Sequence, residues 1–156
     1  MSAYSDAVRM LARRELSVAQ LRERLRDREH STDDIEDAIT RLTGSGQLDD
    51  RRVARAHART AANVKGRGRL RVQQELHAIG ISREIAAEAL ADIFGDIDER
   101  ALVDKAIQKK LRTSGSARRT LSLQERGRLH QYLMRQGFTP ASIAAAMRRM
   151  GSADGE

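Results

Sequence analysis

Between Arg51 and Gln74 the sequence carries eight cationic side chains, Arg51, Arg52, Arg55, Arg59, Lys65, Arg67, Arg69 and Arg71, and no carboxylate; the first acid is Glu75. A guanidinium grips two phosphate or carboxylate oxygens at once, which an ammonium does not. The chemistry such a run suits is docking onto something negative, either DNA phosphate or an acidic protein surface. A charge run on a helix is commonly a solvated face, but solvated faces interleave signs and this one does not. A second acid-free run, from Lys105 to Gln124, holds Lys105, Lys109, Lys110, Arg112, Arg118 and Arg119. Its Ser/Thr/Gly centre reads equally well as a solvated tether and as an ordered site.

Reaction chemistry is not legible. His30, His57, His77 and His130 have no metal-ligand spacing, and His57 falls in an apolar stripe, where a packing role outweighs that of a base. No phosphate-binding loop and no nucleophile elbow occur. Gly66-Arg67-Gly68 begins like a dinucleotide fingerprint, but Arg71 stands where its third glycine belongs and no strand precedes it, so it reads as a helix break. Asp49-Asp50 reads as a helix cap before it reads as a metal pair. Without cysteine there is no disulfide, thiolate site or thiol nucleophile. The expectation is a non-enzyme with no cofactor and no metal. With four aromatic residues (Tyr4, Phe94, Tyr132, Phe138), little is available for stacking on bases, and any core must be built from Leu, Ile, Val, Met and Ala.

The charge is uneven along the 156 residues. Residues 1–48 hold eight basic and nine acidic side chains, 49–95 nine and six, and 96–156 twelve and seven. A chain basic in its middle and C-terminal parts favours polyanions. No apolar run approaches the roughly 18 residues that span a bilayer, and MSAYSDAVRM lacks an export signal. A cytoplasmic monomer that does not engage membranes is expected.

The elements that must hold these cations in place are helices. One proline and abundant Ala, Leu, Arg and Glu predict an all-α chain. At about 100° per residue, Arg51, Arg55 and Arg59 share one side of a helix with Arg52 nearby. Val53, His57, Thr60 and Val64 share the opposite side, which should face inward. Upstream, a helix over 5–14 turns Ala7, Val8, Leu11 and Ala12 inward. Ser17 with Gln20 forms a capping box ahead of Val18, Leu21 and Leu25. Ser31 or Thr32 caps a helix with Ile35, Ile39 and Leu42 inward. Downstream come a helix with Val72, Leu76 and Ile79, and one capped by Ser82 with Ile85, Ala89 and Ile93 inward. Another starts near Asp98 with Leu102, Ala106 and Ile107 and breaks at Thr113-Ser114-Gly115-Ser116. Ser122 with Glu125 suggests a second capping box before Leu129 and Leu133. Thr139-Pro140 starts a last helix with Ile143, Met147 and Met150, and GSADGE reads as a frayed tail.

Superposing Leu25, Leu76 and Leu133 brings Leu21, Val72 and Leu129 into register, then His30, Ile81 and Phe138, then Ile35, Ile85 and Ile143. The expected architecture is three tandem three-helix repeats, about nine helices, stacked as an elongated, curved, solenoid-like array. The expected units are 1–47, a central basic repeat over 48–95, a third over 96–151, and a flexible tail over 152–156.

LARRELSVAQLRERL (11–25), GQLDDRRVARAHART (46–60), GRGRLRVQQELHAIGIS (66–82) and LHQYLMRQGF (129–138) resemble, in order and spacing, four segments of the RecX family. Leu-Asp-Asp before an Arg/Ala helix, followed by Gly-Arg-Gly into Glu-Leu, is a specific combination. The resemblance implies a bacterial regulator of the RecA recombinase, built of tandem three-helix repeats. Such a protein binds RecA filaments on single-stranded DNA and restrains strand exchange, ATP turnover and coprotease activity, with links to DNA repair and the SOS response. It makes the cations above, from Arg51 to Arg71 and from Lys105 to Arg112, the expected contacts to filament or DNA, duplex included. This chain departs from the family pattern at Glu29-His30, where Lys/Arg-Gly-Phe is usual. It departs again at Val53 and His57, where Phe and Tyr are usual, and in the loop from Thr113 to Thr120. The rival reading is a stand-alone DNA-binding protein whose three-helix units act as helix-turn-helix readers; Gln73-Gln74 favours it and the lack of Asn or Gln beside Arg on an exposed helix start opposes it.

Overall fold

A computed structural model describes residues 1–114 and 120–153. Nine helices occur among the described residues, and no strand: α1 (Ala3–Arg13), α2 (Val18–Asp27), α3 (Thr32–Gly44), α4 (Asp50–Asn63), α5 (Arg69–Ala78), α6 (Arg83–Phe94), α7 (Glu99–Ser114), α8 (Leu123–Gln136) and α9 (Pro140–Ala153). The chain is all-α, as its composition predicts. Helix α9 takes in Gly151 to Ala153, the first part of the segment GSADGE. Arg118, Arg119 and residues 154–156 lie outside the described residues.

Short polar side chains start the helices by accepting hydrogen bonds from backbone N–H groups that lack a partner inside the helix. Ser31 accepts from Asp34 N at 3.2 Å, Ser82 from Ile85 N at 3.2 Å and Thr139 from Ser142 N at 3.2 Å. Ser17 and Gln20 form the full reciprocal box. At Ser122 the backbone half is present, with Glu125 N donating at 3.1 Å, but the Ser122 hydroxyl itself donates to Glu125 Oε1 at 3.3 Å. The Asp49-Asp50 pair divides its work. Asp49 Oδ1 accepts from Arg51 N and Arg52 N at the start of α4, while Asp50 Oδ1 accepts from Val18 N, at 2.8 Å, at the start of α2.

The internal repeat shows itself at helix ends. Beyond α2, α5 and α8, the residue four after each superposed leucine is left-handed: Glu29 at φ 64°, Gly80 at 84° and Gly137 at 97°. In each case the next N–H reaches back to that leucine's carbonyl, His30 to Leu25 at 3.3 Å, Ile81 to Leu76 at 3.0 Å and Phe138 to Leu133 at 3.3 Å. The left-handed residues themselves donate to Arg26, His77 and Met134. This pair of bonds satisfies the last carbonyls of a helix and turns the chain sharply into the next one.

Two compact units divide the described chain, one of residues 1–57 and 75–89, the other of 58–74, 90–114 and 120–153, so that α4, α5 and α6 each contribute to both. In the first, Ala7, Leu16, Leu21, Leu25, Ile35, Ile39, Leu42 and Leu48 form a buried cluster. In the second, Val103, Ala106, Ile107, Leu121, Leu129, Leu133, Phe138, Ile143 and Ala146 do so. The same end-to-end contact recurs in each. The Ser17 hydroxyl donates to Ile79 O in the first unit, and in the second, at the corresponding position, Gly68 N donates to Gln136 O at 2.7 Å.

Three packing expectations are corrected. Thr60 is exposed and Val64 is 79 % exposed; the buried stripe of α4 is Val53, Ala54, Ala58, Ala61 and Ala62. Periodicity marked the larger side chains, but methyl groups let a helix approach its neighbours closely, so the alanines are what is covered. Ala12 is exposed, and Ala3, Asp6 and Ala7 are the buried residues of α1. Phe138 has no exposed surface, so the core of the second unit is built around an aromatic ring after all.

Candidate nucleic-acid interface

In the first unit the cations of α4 meet acids brought in by other elements. Arg51 Nε donates to Glu88 Oε2 of α6 at 3.1 Å. That carboxylate, through the hydrogen bond first and its charge second, raises the Arg51 pKa. Arg52 Nε donates to Glu15 Oε1 at 3.1 Å, while its Nη1 and Nη2 donate to Gly46 O at 2.8 Å and Gln47 O at 3.1 Å. Arg52 thus clamps the turn between α3 and α4. The absence of acids across 51–74 holds along the sequence and fails in space, because Glu15 and Glu88 are far off in the chain. Arg55 is exposed. His57 is half-buried, its Nε2 lying 3.2 Å from Glu75 Oε2.

The second unit holds the remaining members. Arg59, Lys65, Arg69, Lys105, Lys109 and Arg112 are exposed; Arg67, Arg71 and Lys110 are half-buried. Arg71 Nη1 donates to Arg135 O at 3.4 Å. Arg112, in the last turn of α7, also complements that helix's negative end. The fold brings the two acid-free runs together here. A cleft of about 310 Å³ lies among the end of α4, α7 and α8, with Lys65, Lys105 and Lys109 in its lining and no carboxylate. Asn63 and Gln136 supply amides; Ala62, Val64, Leu102 and Ala106 supply an apolar wall; Tyr132 contributes its ring. Outside the cleft lining, Lys110 Nζ stands 5.0 Å from the centre of that ring, within cation–π reach. Ammonium groups around a concave, acid-free surface attract phosphate as point charges.

One basic group was not legible in the sequence. Arg13, Arg14, Arg24 and Arg28 line a concavity of about 440 Å³ with Met10 and Asp27, between the end of α1 and α2. It falls in the stretch where acids outnumber bases, so a regional charge count hides it. The adjacent pair Arg13-Arg14 was the available signal.

Compared with known proteins, the chain is 33 % identical over 143 residues to the regulatory protein RecX of Chromohalobacter salexigens, covering 91 % of this chain and 88 % of that one. The chain belongs to the RecX family. Family models described as the first and second three-helix domains of RecX match residues 3–42 and 49–90. The regulatory protein RecX of Geobacillus thermodenitrificans is 32 % identical over 148 residues, but this chain spans only 52 % of its length. A crystal structure of RecX from Lactobacillus salivarius shares the fold with a TM-score of 0.80 at 19 % identity, over 96 % of this chain and 94 % of that one. The RecX relatives bear the names of regulators and not of enzymes.

The structure gives a physical account of the departure at Glu29-His30. His30 Nε2 lies 2.7 Å from Asp6 Oδ2, and the two side chains are 14 % and 6 % exposed. A hydrogen-bonded polar pair therefore fills a place where an apolar ring could sit, and the buried carboxylate is satisfied by its partner. The hydrogen bond from His30, assisted by the charge of Arg28 and opposed by burial, holds the Asp6 pKa below the ordinary aspartate value. No helix among the described residues is long and apolar enough to cross a membrane.

Proposed function

We propose that this chain is a non-enzymatic, monomeric, cytoplasmic regulator that binds the RecA filament on single-stranded DNA and restrains strand exchange, ATP turnover and coprotease activity, acting in DNA repair and the SOS response. The observation that carries this reading is the match to regulatory RecX proteins over nine-tenths of the chain. The acid-free lysine cleft supports it from physics, since a nucleoprotein fibre is a polyanion. The repeats 1–47, 48–95 and 96–151 are the docking modules. Three similar modules facing a lattice that itself repeats gain avidity without any strong individual contact. Bound there, the chain occludes incoming duplex and shifts the filament between conformations by its differential affinity for them.

The test is co-sedimentation with RecA filaments on single-stranded DNA and a slowly hydrolysed nucleotide, against naked DNA across a salt series. Filament-dependent pelleting, with a matching fall in ATP turnover, is the expected result. Equal retention on naked DNA would instead support the stand-alone DNA-binding reading.

A further inference from the structure

The cleft of the second unit is more than a cationic patch. Its lining combines three ammonium groups, two amides, an apolar wall and one aromatic ring. Phosphate alone would need only the lysines. Val64 stands 79 % exposed in that lining, an apolar side chain held in water although α4 has methyl groups enough for its buried stripe. A volume of about 310 Å³ is at the small end of ligand pockets, matching one nucleotide rather than several. Tyr132 lines the cleft, and Lys110 stands over its ring from outside the lining. A base offers a flat carbon face to such a ring and wall, whatever its identity. Duplex DNA keeps its bases stacked and paired and could bring only phosphates to the rim.

We infer that this cleft seats one unpaired nucleotide of a single strand, its base against Tyr132, Val64 and Leu102 and the flanking phosphates on Lys65, Lys105 and Lys109. The inference rests on the reading of the basic surface as one that docks a polyanion. It assigns the nucleic-acid contact to the lysines of the second unit, not to Arg51 and Arg52, whose guanidinium groups are engaged by Glu88 and Glu15. Recognition is indifferent to sequence where the base lies on Tyr132, Val64 and Leu102, because every base presents the same kind of flat face to a ring and aliphatic side chains.

The sequence has two tyrosines and no tryptophan, so Tyr4→Phe leaves Tyr132 as the sole emitter. In that background, with no recombinase present, tyrosine emission and anisotropy of labelled strands are followed for oligothymidylate, an abasic strand of equal length, a hairpin duplex and free thymidine monophosphate. Oligothymidylate should quench Tyr132; the abasic strand and the duplex should bind through their phosphates without quenching; free nucleotide should do neither at the same concentration. Replacing Lys65, Lys105 and Lys109 together by Gln should flatten the salt dependence of single-strand binding, log K against log salt, by about 2, near 0.7 per phosphate released. Tyr132→Leu should weaken oligothymidylate by about fivefold to a hundredfold and leave the abasic strand unchanged. Tyr132→Phe should restore binding, which distinguishes a lost stacking face from a disturbed core. The inference fails if oligothymidylate does not quench or if the lysine variant keeps its salt slope. It fails equally if Tyr132→Leu weakens both strands alike, or if free nucleotide or duplex quenches as well as the strand does. None of these outcomes bears on filament binding, which its own sedimentation test decides.

Discussion

Gly137 is where the fold is most exposed to a single added carbon. Its φ of 97° is left-handed, and a Cβ there would lie 2.3 Å from Arg71 Cβ and 2.4 Å from Arg71 N. The first feature alone costs a non-glycine residue about 1–2 kcal/mol. Gly→Ala also restricts the unfolded chain, which returns about 0.4–1 kcal/mol. Gly46 isolates those two contributions: its φ is 79° and nothing lies within 4 Å of an added Cβ. Gly46→Ala should therefore destabilise by about 1 kcal/mol or less. Gly137→Ala adds a collision with backbone that no rotamer change relieves, about 1–3 kcal/mol more, for a total near 3 kcal/mol. Urea unfolding followed by helical circular dichroism reads the difference. With an m-value of about 2 kcal/mol/M, the midpoint falls by about 1.5 M for Gly137→Ala and 0.5 M or less for Gly46→Ala. If the two variants unfold at the same midpoint, the close approach of Gly137 to the start of α5 is not what holds the second unit together, and the reasoning is refuted.

Two further outcomes are expected. Ser17 both caps α2 and donates to Ile79 O, whereas Ser31 only caps α3; Ser31→Ala should cost about 1 kcal/mol and Ser17→Ala about 2 kcal/mol, the excess being the carbonyl left without its donor, and equal losses would show that the long-range bond adds nothing. Because the Asp6 pKa is lowered in the folded chain, its contribution to stability is complete above the ordinary aspartate value of 3.8 and disappears as pH falls through the lower folded value. Asp6→Asn should thus reduce stability at neutral pH and flatten its acid dependence below about pH 4; a parallel acid curve for the two proteins would remove Asp6 from the account.

Much of the local structure was legible because it is decided over short distances. Ser17-Gln20, Ser31, Ser82 and Thr139-Pro140 satisfy backbone donors three residues away, so the residues that start helices name themselves. The superposed leucines Leu25, Leu76 and Leu133 are fully buried, and they anchor the three equivalent helix ends. Within α4 the larger side chain of Thr60 stays outside because close helix approach favours Ala58, Ala61 and Ala62, and Val64 is exposed because the helix ends at Asn63, one residue before it. Of the candidate site, the cationic residue types were plain, but their division was not. Arg51 and Arg52 are occupied by acids 37 residues away in the chain, and Lys65 meets Lys105 and Lys109 only through folding.

By itself, then, the amino-acid order determined an all-helical chain, its helix starts and stops, its threefold internal repeat and its excess of cations, since each follows from backbone hydrogen bonding and periodicity within a few turns. Tertiary structure alone decided which cations are neutralised, which converge on an acid-free cleft beside Tyr132, and why Asp6 can be buried opposite His30. Those depend on distances between helices, and a charge is free or paired according to what stands within a few ångströms of it, however far away that partner lies along the chain.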